Sequence, residues 1–131
     1  MRLLLDTHTF LWYYSGAPEL SDHAKSCLDD PQNEFWVSIV SLWEIAIKNS
    51  IGKLDLDTSF DTFCKDVVEK GFTFLPVDMA HIMKLAQLPF HHRDPFDRII
   101  ITQAIAENMD FVTIDAMVES YLEDEVIKKI W

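Results

Sequence analysis

Short apolar runs alternate with longer amphipathic segments along this chain, a pattern typical of strands separated by helices. The predicted strands span residues 3–6, 34–40, 72–77 and 111–115, with a short edge strand over 126–131. The predicted helices span residues 7–14, 22–28, 41–50, 58–70, 79–87 and 97–108. Because short apolar strands that alternate with helices form parallel sheets covered on both faces, the pattern predicts an α/β fold with a mainly parallel sheet of four or five strands.

Polar residues mark where several of these helices begin. Ser21 and Asp78 precede two of the helices as N-cap residues. Ser41 and Glu44 have the spacing of a capping box at the start of the third helix. Asp94 stands before a proline, which fits an N-cap followed by the first position of the most apolar helix.

The composition limits the class of protein. At 131 residues the chain is expected to form a single domain, residues 1–131, with a core of its own. It carries 22 acidic and 11 basic residues, a net charge of −11 with neutral histidines. This charge argues against direct binding of duplex DNA and suits either a basic partner protein or a site that gathers carboxylates around metal ions. The alternative is that much of the acidity only favours solubility.

Neither a membrane protein nor a zinc protein is predicted. No apolar run approaches the roughly 20 residues that span a bilayer, and the first residues lack the pattern of a signal peptide. We therefore expect a cytoplasmic protein without membrane contact. Cys27 and Cys64 are far apart and lack CxxC spacing, so a zinc site or a disulfide framework is not expected.

Two of the predicted strands end on a carboxylate. Asp6 follows three consecutive leucines, and Asp115 closes the fourth strand. A charge at the end of a buried strand raises the free energy of the fold unless another group pairs with it. Since ligands of parallel α/β sheets gather at the carboxyl ends of the strands, both aspartates are expected at one site.

Two predicted helix starts add further acidic residues. Ser41, Glu44 and Lys48 form a polar stripe on an otherwise apolar helix. This stripe either contributes Glu44 to a site or reflects a capping box with an i,i+4 ion pair. Asp94 fits an N-cap, and Asp97 either complements the helix dipole or serves the site. The isoleucine run after Asp97 indicates that this aspartate is buried. An interaction with the helix dipole alone explains a buried aspartate less well.

Four carboxylates from separate parts of the chain are thus candidates for one pocket. A charge of about −4 in one pocket raises pKa values and destabilises the fold unless cations neutralise it. Ligands that are all oxygen favour Mg²⁺ or Mn²⁺ over zinc, and such an ion polarises a phosphate and generates hydroxide from bound water. The four candidates are Asp6, Glu44, Asp97 and Asp115.

Four segments together resemble one known family. They are LLLDTHTFLW, SIVSLWEIAIKNSIGKL, HRDPFDRIIITQA and VTIDAMV. In this order they are similar to the PIN domain, in particular to VapC-type ribonuclease toxins of prokaryotic type II toxin–antitoxin modules. The resemblance covers essentially the whole chain and implies a PIN-like α/β/α sandwich. It places the acidic positions of the family on the same four residues, with Thr113 in a T-x-D arrangement and Asp94 as an additional acidic residue in a supporting role.

The resemblance also implies an activity and partners. The implied activity is that of an endoribonuclease dependent on Mg²⁺ or Mn²⁺, in which an activated water attacks the RNA phosphodiester in line and leaves a 5′-phosphate and a 3′-hydroxyl. Asp6 and Asp97 are the main implied metal ligands, and Glu44 and Asp115 complete the site directly or through water. The implied partners are an antitoxin protein, whose C-terminal segment fills the groove of the toxin, and a second copy in a homodimer. DNA is implied only indirectly, through the antitoxin.

Further residues near these motifs are candidates for supporting roles. Thr7 either hydrogen-bonds near Asp6 or caps the first helix. Four basic residues offset the acidic surface and are candidate contacts to RNA phosphates. They are Lys48, Lys53, Arg93 and Arg98.

Other protein classes fit the motifs less well. A phosphatase of the haloacid dehalogenase type needs a second aspartate two residues after Asp6, where this chain has His8. A response-regulator receiver domain needs an acidic pair near the first strand and a late lysine after a strand, and this chain offers neither. The remaining alternative is a catalytically silent PIN-fold module that binds other proteins. The complete set of four acidic residues argues against it.

Overall fold

Strands and helices alternate through residues 1–90 and 94–131, which the structure, a computed structural model, describes. The strands β1 to β5 span Arg2–Leu5, Glu34–Ser38, Phe74–Leu75, Asp110–Val112 and Lys129–Ile130. The helices α1 to α7 span Thr7–Ser15, Asp22–Asp29, Ile39–Ser50, Phe60–Glu69, Met79–Gln87, Pro95–Ala106 and Glu119–Leu122, and a 3₁₀-helix spans Ala116–Val118. None of the helices in these two ranges is long and apolar enough to cross a membrane.

The strands form one parallel sheet in the order β3-β2-β1-β4-β5. The predicted α/β fold is therefore confirmed, and β5 is the short edge strand that was expected. β1 lies in the centre, where Leu5 is in register with Val37 of β2 and with Val112 of β4. Because these three strands end level with one another, the residues that follow them emerge side by side at the carboxyl edge of the sheet.

Alternating side chains of β1 supply two hydrophobic cores, one on each face of the sheet. Leu3 and Leu5 join the core formed with α1, α2 and α4, where Phe10 and Phe63 are the largest buried rings. Leu4 joins the opposite core, which contains the isoleucines of α6. The strand is buried on both faces, and this explains why it reads as a continuous apolar run.

The start of α3 differs from the prediction. Ser38 is the N-cap residue, because its hydroxyl accepts a hydrogen bond from the backbone N–H of Val40 at 3.1 Å. β2 therefore ends at Ser38, and the predicted capping box of Ser41 and Glu44 is wrong. Both of these side chains lie inside α3 and are buried.

Three predicted N-cap residues are confirmed, although α4 begins at Phe60 and not at residue 58. Ser21, Asp78 and Asp94 each cap a helix through a hydrogen bond from a backbone N–H to a side-chain oxygen. α6 begins at Pro95, two residues earlier than predicted, because Asp94 is its cap. The 3₁₀-helix and α7 were not expected, since both are too short to show a helical period of apolar residues.

A buried glutamine connects three elements near the carboxyl edge of the sheet. Gln103 of α6 is fully buried. Its Oε1 accepts a hydrogen bond from the Ser38 hydroxyl at 2.5 Å, and its Nε2 donates to the carbonyl oxygen of Pro76 at 3.1 Å. The side chain therefore joins α6 to the end of β2 and to the segment after β3.

We expect Gln103→Leu to lower the free energy of unfolding by about 1–3 kcal/mol, because the buried Ser38 hydroxyl and the carbonyl of Pro76 lose their hydrogen-bond partner. Urea unfolding followed by circular dichroism measures this change. Gln87→Leu, at the exposed end of α5, is the matched control and should change stability by less than about 0.5 kcal/mol. An equal loss in both variants would contradict the role assigned to Gln103.

Candidate active site

Three acidic side chains line one cavity at the carboxyl edge of the sheet. Asp6 follows β1, Asp115 lies shortly after β4, and Asp97 lies in the first turn of α6. The cavity has a volume of about 340 Å³. Its other lining residues are His8, Ile101, Phe111, Thr113, Ile114 and Val118. The structure thus brings together three of the four acidic residues that the sequence singled out.

Both carboxylate oxygens of Asp6 accept hydrogen bonds. Oδ1 accepts from the backbone N–H of Thr9 at 2.7 Å, which makes Asp6 the N-cap of α1. Oδ2 accepts from the hydroxyl of Thr113 at 2.5 Å. Burial raises the pKa of Asp6 above its ordinary value, although these hydrogen bonds and the charge of His8 act in the opposite direction. The ionised carboxylate therefore raises the free energy of the fold, and a cation in the cavity offsets that penalty.

Thr113 connects the two aspartates that follow β1 and β4. Its hydroxyl donates to Asp6, and its oxygen accepts a hydrogen bond from the backbone N–H of Asp115 at 3.0 Å. Asp115 in turn caps the 3₁₀-helix by accepting from the N–H of Met117 at 2.9 Å. The T-x-D spacing thus has a structural cause, because one threonine holds both aspartates in place.

Glu44 is the predicted site residue that does not line the cavity. Its side chain is only 2 % exposed, and its Oε1 accepts a hydrogen bond from the Thr7 hydroxyl at 2.8 Å. Its Oε2 lies 2.5 Å from Nζ of Lys48. The Thr7 hydroxyl also lies 2.9 Å from the hydroxyl oxygen of Ser41. Glu44 is therefore tied to the residue that follows Asp6, and each of its carboxylate oxygens has a partner.

Asp94 caps α6 and does not line the cavity. Its Oδ1 accepts a hydrogen bond from the backbone N–H of Phe96 at 2.9 Å. This contact fixes the first turn of the helix, which carries Asp97. The supporting role expected for Asp94 is thus that of an N-cap that orients the turn holding a cavity residue.

The four basic candidates for RNA contact have different surroundings. Lys53 is exposed, and the side chain of Lys48 is 38 % exposed. Arg98 is half-buried: its guanidinium lies 4.9 Å from the ring centroid of Phe90 and donates to the carbonyl oxygen of Leu88 at 3.4 Å. Among the three candidates that the structure describes, these contacts make Arg98 the least available to a phosphate. Arg93 lies outside the described residues.

His8 is a cavity residue that sequence reasoning did not select. It occupies the second position of α1, directly after the capping Asp6 and Thr7. Its ring centroid lies 5.7 Å from that of Trp12. The signal was present in the sequence, because residues in the first turn of a capped helix share the surroundings of the cap.

A second group of metal-ligating residues lies elsewhere and is already used by the fold. In the described ranges, ligand atoms of Asp78, His81 and Glu107 lie within 4.8 Å of one another. Nδ1 of His81 accepts a hydrogen bond from the backbone N–H of Asp78, and Nε2 lies 2.8 Å from Oε1 of Glu107. Asp97 and Glu107 are ten positions apart on one helix, about 15 Å along its axis. This group is therefore separate from the cavity, and both ring nitrogens of its histidine have structural partners.

The donor chemistry of the cavity fits a hard divalent cation. The three aspartates offer oxygen ligands without sulfur, which suits Mg²⁺ or Mn²⁺. The burial of Asp6 adds a second reason, since desolvation raises the pKa of this carboxyl and a nearby cation would favour its ionised form. The three aspartates form no group as tight as that around His81 among the described residues.

We expect Asp6→Asn to leave the metal-free protein at least as stable as the unsubstituted one at pH 7, because the amide carries no charge to bury. The folded chain binds the Asp6 proton more tightly than the unfolded chain, so this group adds stability as the pH falls through the raised pKa. The difference between the two proteins should shrink as the pH falls from 7 toward 3.8. Urea unfolding in EDTA measures it.

Mg²⁺ serves as the second arm of this experiment. At a concentration of one hundred times Kd, it should stabilise the unsubstituted protein by about 2.7 kcal/mol and leave Asp6→Asn unchanged. Asp22→Asn, in the exposed first turn of α2, is the control for loss of a carboxylate. Equal stabilisation of all three proteins by Mg²⁺ would contradict a metal site at Asp6.

Comparisons with known proteins agree with this geometry. The sequence model of the PIN domain matches residues 3–121. No curated protein sequence matches the chain. A chain of VapBC2 from Rickettsia felis, solved with a DNA fragment from its promoter, has a TM-score of 0.73 at 16% identity, covering 100% of each chain. A chain of DNA-bound VapBC from Salmonella typhimurium has a TM-score of 0.71 at 15% identity, covering 98% of each chain. A chain of VapBC-1 from nontypeable Haemophilus influenzae has a TM-score of 0.68 at 15% identity, covering 98% of this chain and 96% of that one.

The extent of the family match decides the classification. At identities of 15–16%, the similarity to the solved structures establishes the fold. The match to the family model runs from β1 into α7 and includes Glu44 and all three aspartates of the cavity. The chain therefore belongs to the PIN domain family.

Proposed function

We propose that this protein is an endoribonuclease that depends on Mg²⁺ or Mn²⁺ and acts as the toxin of a type II toxin–antitoxin module. Residues 1–131 would form its single domain. The observation that carries the proposal is the cavity that Asp6, Asp97 and Asp115 share at the carboxyl edge of the sheet. Membership of the PIN family supports nuclease chemistry at such a cavity.

In this proposal the three cavity aspartates hold the ion. A bound divalent ion supplies Lewis-acid stabilisation of a phosphate and makes a water molecule more acidic. The role of the protein side chains and backbone is to keep the carboxylates oriented. Thr113 and the N–H of Thr9 bind both oxygens of Asp6, so this carboxylate cannot rotate freely when RNA approaches. Glu44 acts through Thr7, which joins α3 to the start of α1.

The net charge of the chain affects how RNA would reach the cavity. A chain with a net charge of −11 repels a polyanion over most of its surface. The proposed phosphate contacts are Lys53, which is exposed, Lys48, whose side chain is 38 % exposed, and the two arginines Arg93 and Arg98. We therefore expect only a few phosphate contacts to contribute to the affinity for RNA. Much of the binding would occur at the acidic cavity, once cations neutralise its charge.

The proposed protein partner is a cognate antitoxin. The Rickettsia felis, Salmonella typhimurium and Haemophilus influenzae structures are VapBC structures, and two of them contain DNA. The acidic surface of this chain suits a basic partner, and it opposes direct DNA contact, so DNA would be reached only through the antitoxin. We keep a cytoplasmic location as part of this proposal.

The proposed homodimer would use an apolar surface of α3 and α5. Ile39, Trp43, Ile47 and Ile51 repeat every fourth residue along α3 and its end, and all four are exposed. Ile39 and Trp43 also border a cavity of about 440 Å³, which is lined by apolar side chains that include Val77, Ile82 and Leu85. A second copy is the proposed occupant, because two identical apolar faces bury each other without pairing the acidic charges of the two chains.

We expect Asp97→Asn to lower the rate of Mn²⁺-dependent RNA cleavage by at least about 100-fold, because the cavity loses one of its three charges. Cleavage of total RNA followed by sequencing of RNA ends measures the rate and the cut sites. Asp61→Asn, in the exposed first turn of α4, is the matched control and should cleave like the unsubstituted protein.

The same assay separates the nuclease from its alternative. A folded, unsubstituted protein that cleaves no RNA with Mn²⁺ would support the catalytically silent binding module. Co-expression with the neighbouring open reading frame followed by size-exclusion chromatography tests the antitoxin, and elution as separate chains would contradict that pairing.

We expect Trp43→Glu to convert the homodimer to a monomer, because a buried carboxylate at the apolar surface has no partner. Light scattering during size-exclusion chromatography gives the mass. Val126→Glu, at a side chain that is 92 % exposed, is the matched control and should remain dimeric. A monomeric unsubstituted protein, or a dimer that survives Trp43→Glu, would contradict this surface.

A further inference from the structure

Glu44 is a buried carboxylate whose hydrogen bonds are satisfied within the protein. The Thr7 hydroxyl donates to Oε1, so the hydrogen between Ser41 and Thr7 must come from the Ser41 hydroxyl. The ammonium group of Lys48, one turn further along α3, donates to Oε2 at 2.5 Å. An ionised carboxylate at 2 % exposure is stable only when it is paired in this way. Glu44 therefore serves to hold Lys48 at a defined place.

α3 also packs against the start of α6. The ring of Trp43 packs edge-on against the ring of Phe96, with centroids 5.0 Å apart. This contact holds α3 against the helix turn that carries Asp97. The pKa of Lys48 is raised, first by its hydrogen bond to Glu44 and then by carboxylate charges that include those at the start of α6, while desolvation acts in the opposite direction.

We propose that Lys48 is an internal counter-cation of the acidic site, which neutralises charge in the metal-free protein and opposes the binding of a divalent ion. This inference rests on the proposed function, since it assumes that the cavity binds such an ion. Lys48 is thereby a positioning residue: it acts on the ion through its fixed charge, and Glu44 acts on Lys48 through the ion pair.

The proposal follows from the place of the charge. The hydrogen bonds of Glu44 to Lys48 and Thr7 hold the Lys48 ammonium group near the residue that follows Asp6, where its charge lowers the negative potential that attracts a divalent ion. The same charge lessens repulsion among carboxylates when no ion is present, so the chain can fold before it binds metal. An i,i+4 ion pair with only a structural role would instead stabilise α3 and leave the affinity for the ion unchanged.

The affinity for Mn²⁺ alone, measured without RNA from the electron paramagnetic resonance signal of free Mn²⁺, tests this inference. Lys48→Met should bind Mn²⁺ at least about tenfold more tightly than the unsubstituted protein. Lys48→Arg keeps the charge and should stay within about threefold. Lys25→Met is the matched control, because Lys25 and Asp29 form an exposed i,i+4 pair at 2.6 Å, and it should leave the affinity unchanged.

A second pair of variants controls for misfolding, because Lys48→Met leaves the Glu44 carboxylate buried without its cation. Glu44→Gln removes that charge, so Glu44→Gln/Lys48→Met should fold and bind Mn²⁺ at least severalfold more tightly than Glu44→Gln alone. Equal or weaker binding when Lys48 is removed from either folded background would overturn the inference. If that result accompanies RNA cleavage that Asp97→Asn abolishes, the proposed function stands and only the role of Lys48 falls. An unsubstituted protein that binds no Mn²⁺ overturns both.

Discussion

Negative charge gathered at one edge of a parallel sheet is the constraint on which the rest of this structure depends. Asp6, Asp94 and Asp115 each occupy the cap position of a helix, where backbone N–H groups point at a side-chain oxygen. Unpaired N–H groups and the helix dipole both favour an anion at such a position. The backbone therefore offsets part of the repulsion between these carboxylates. The proposed counter-cation Lys48 would add positive charge, and a divalent ion would offset the remaining cost of burying the Asp6 carboxylate.

Capping and metal binding are compatible roles for the same side chain. From the sequence they look like competing explanations of one aspartate, but Asp6 and Asp115 cap helices and line the cavity at once. The opposite case is the group around His81, which has suitable ligand atoms within a short distance but uses both ring nitrogens in the fold. Ligand type and proximity alone therefore do not distinguish the two groups, whereas position at the carboxyl edge of the sheet favours the cavity as the proposed metal site.

Local patterns predicted the sheet, the bounds of α5 and the caps Ser21, Asp78 and Asp94, since each depends on residues close together in the chain. Such patterns could not predict contacts between residues that are far apart in the chain. Whether Ser38 or Ser41 begins α3 depends on the packing of α6, where Gln103, 65 positions from Ser38, accepts the Ser38 hydrogen bond. The meeting of Asp6 and Asp115 was predictable because parallel strands end at a common edge. The separate position of Glu44 was not, because it depends on side-chain partners from two helices.

Crystals grown with Mn²⁺ and measured for anomalous scattering test the central claim most directly. The account predicts an anomalous peak inside the cavity, within bonding distance of carboxylate oxygens of Asp6, Asp97 and Asp115. A peak found only at Asp78, His81 and Glu107, with none in the cavity, would contradict it.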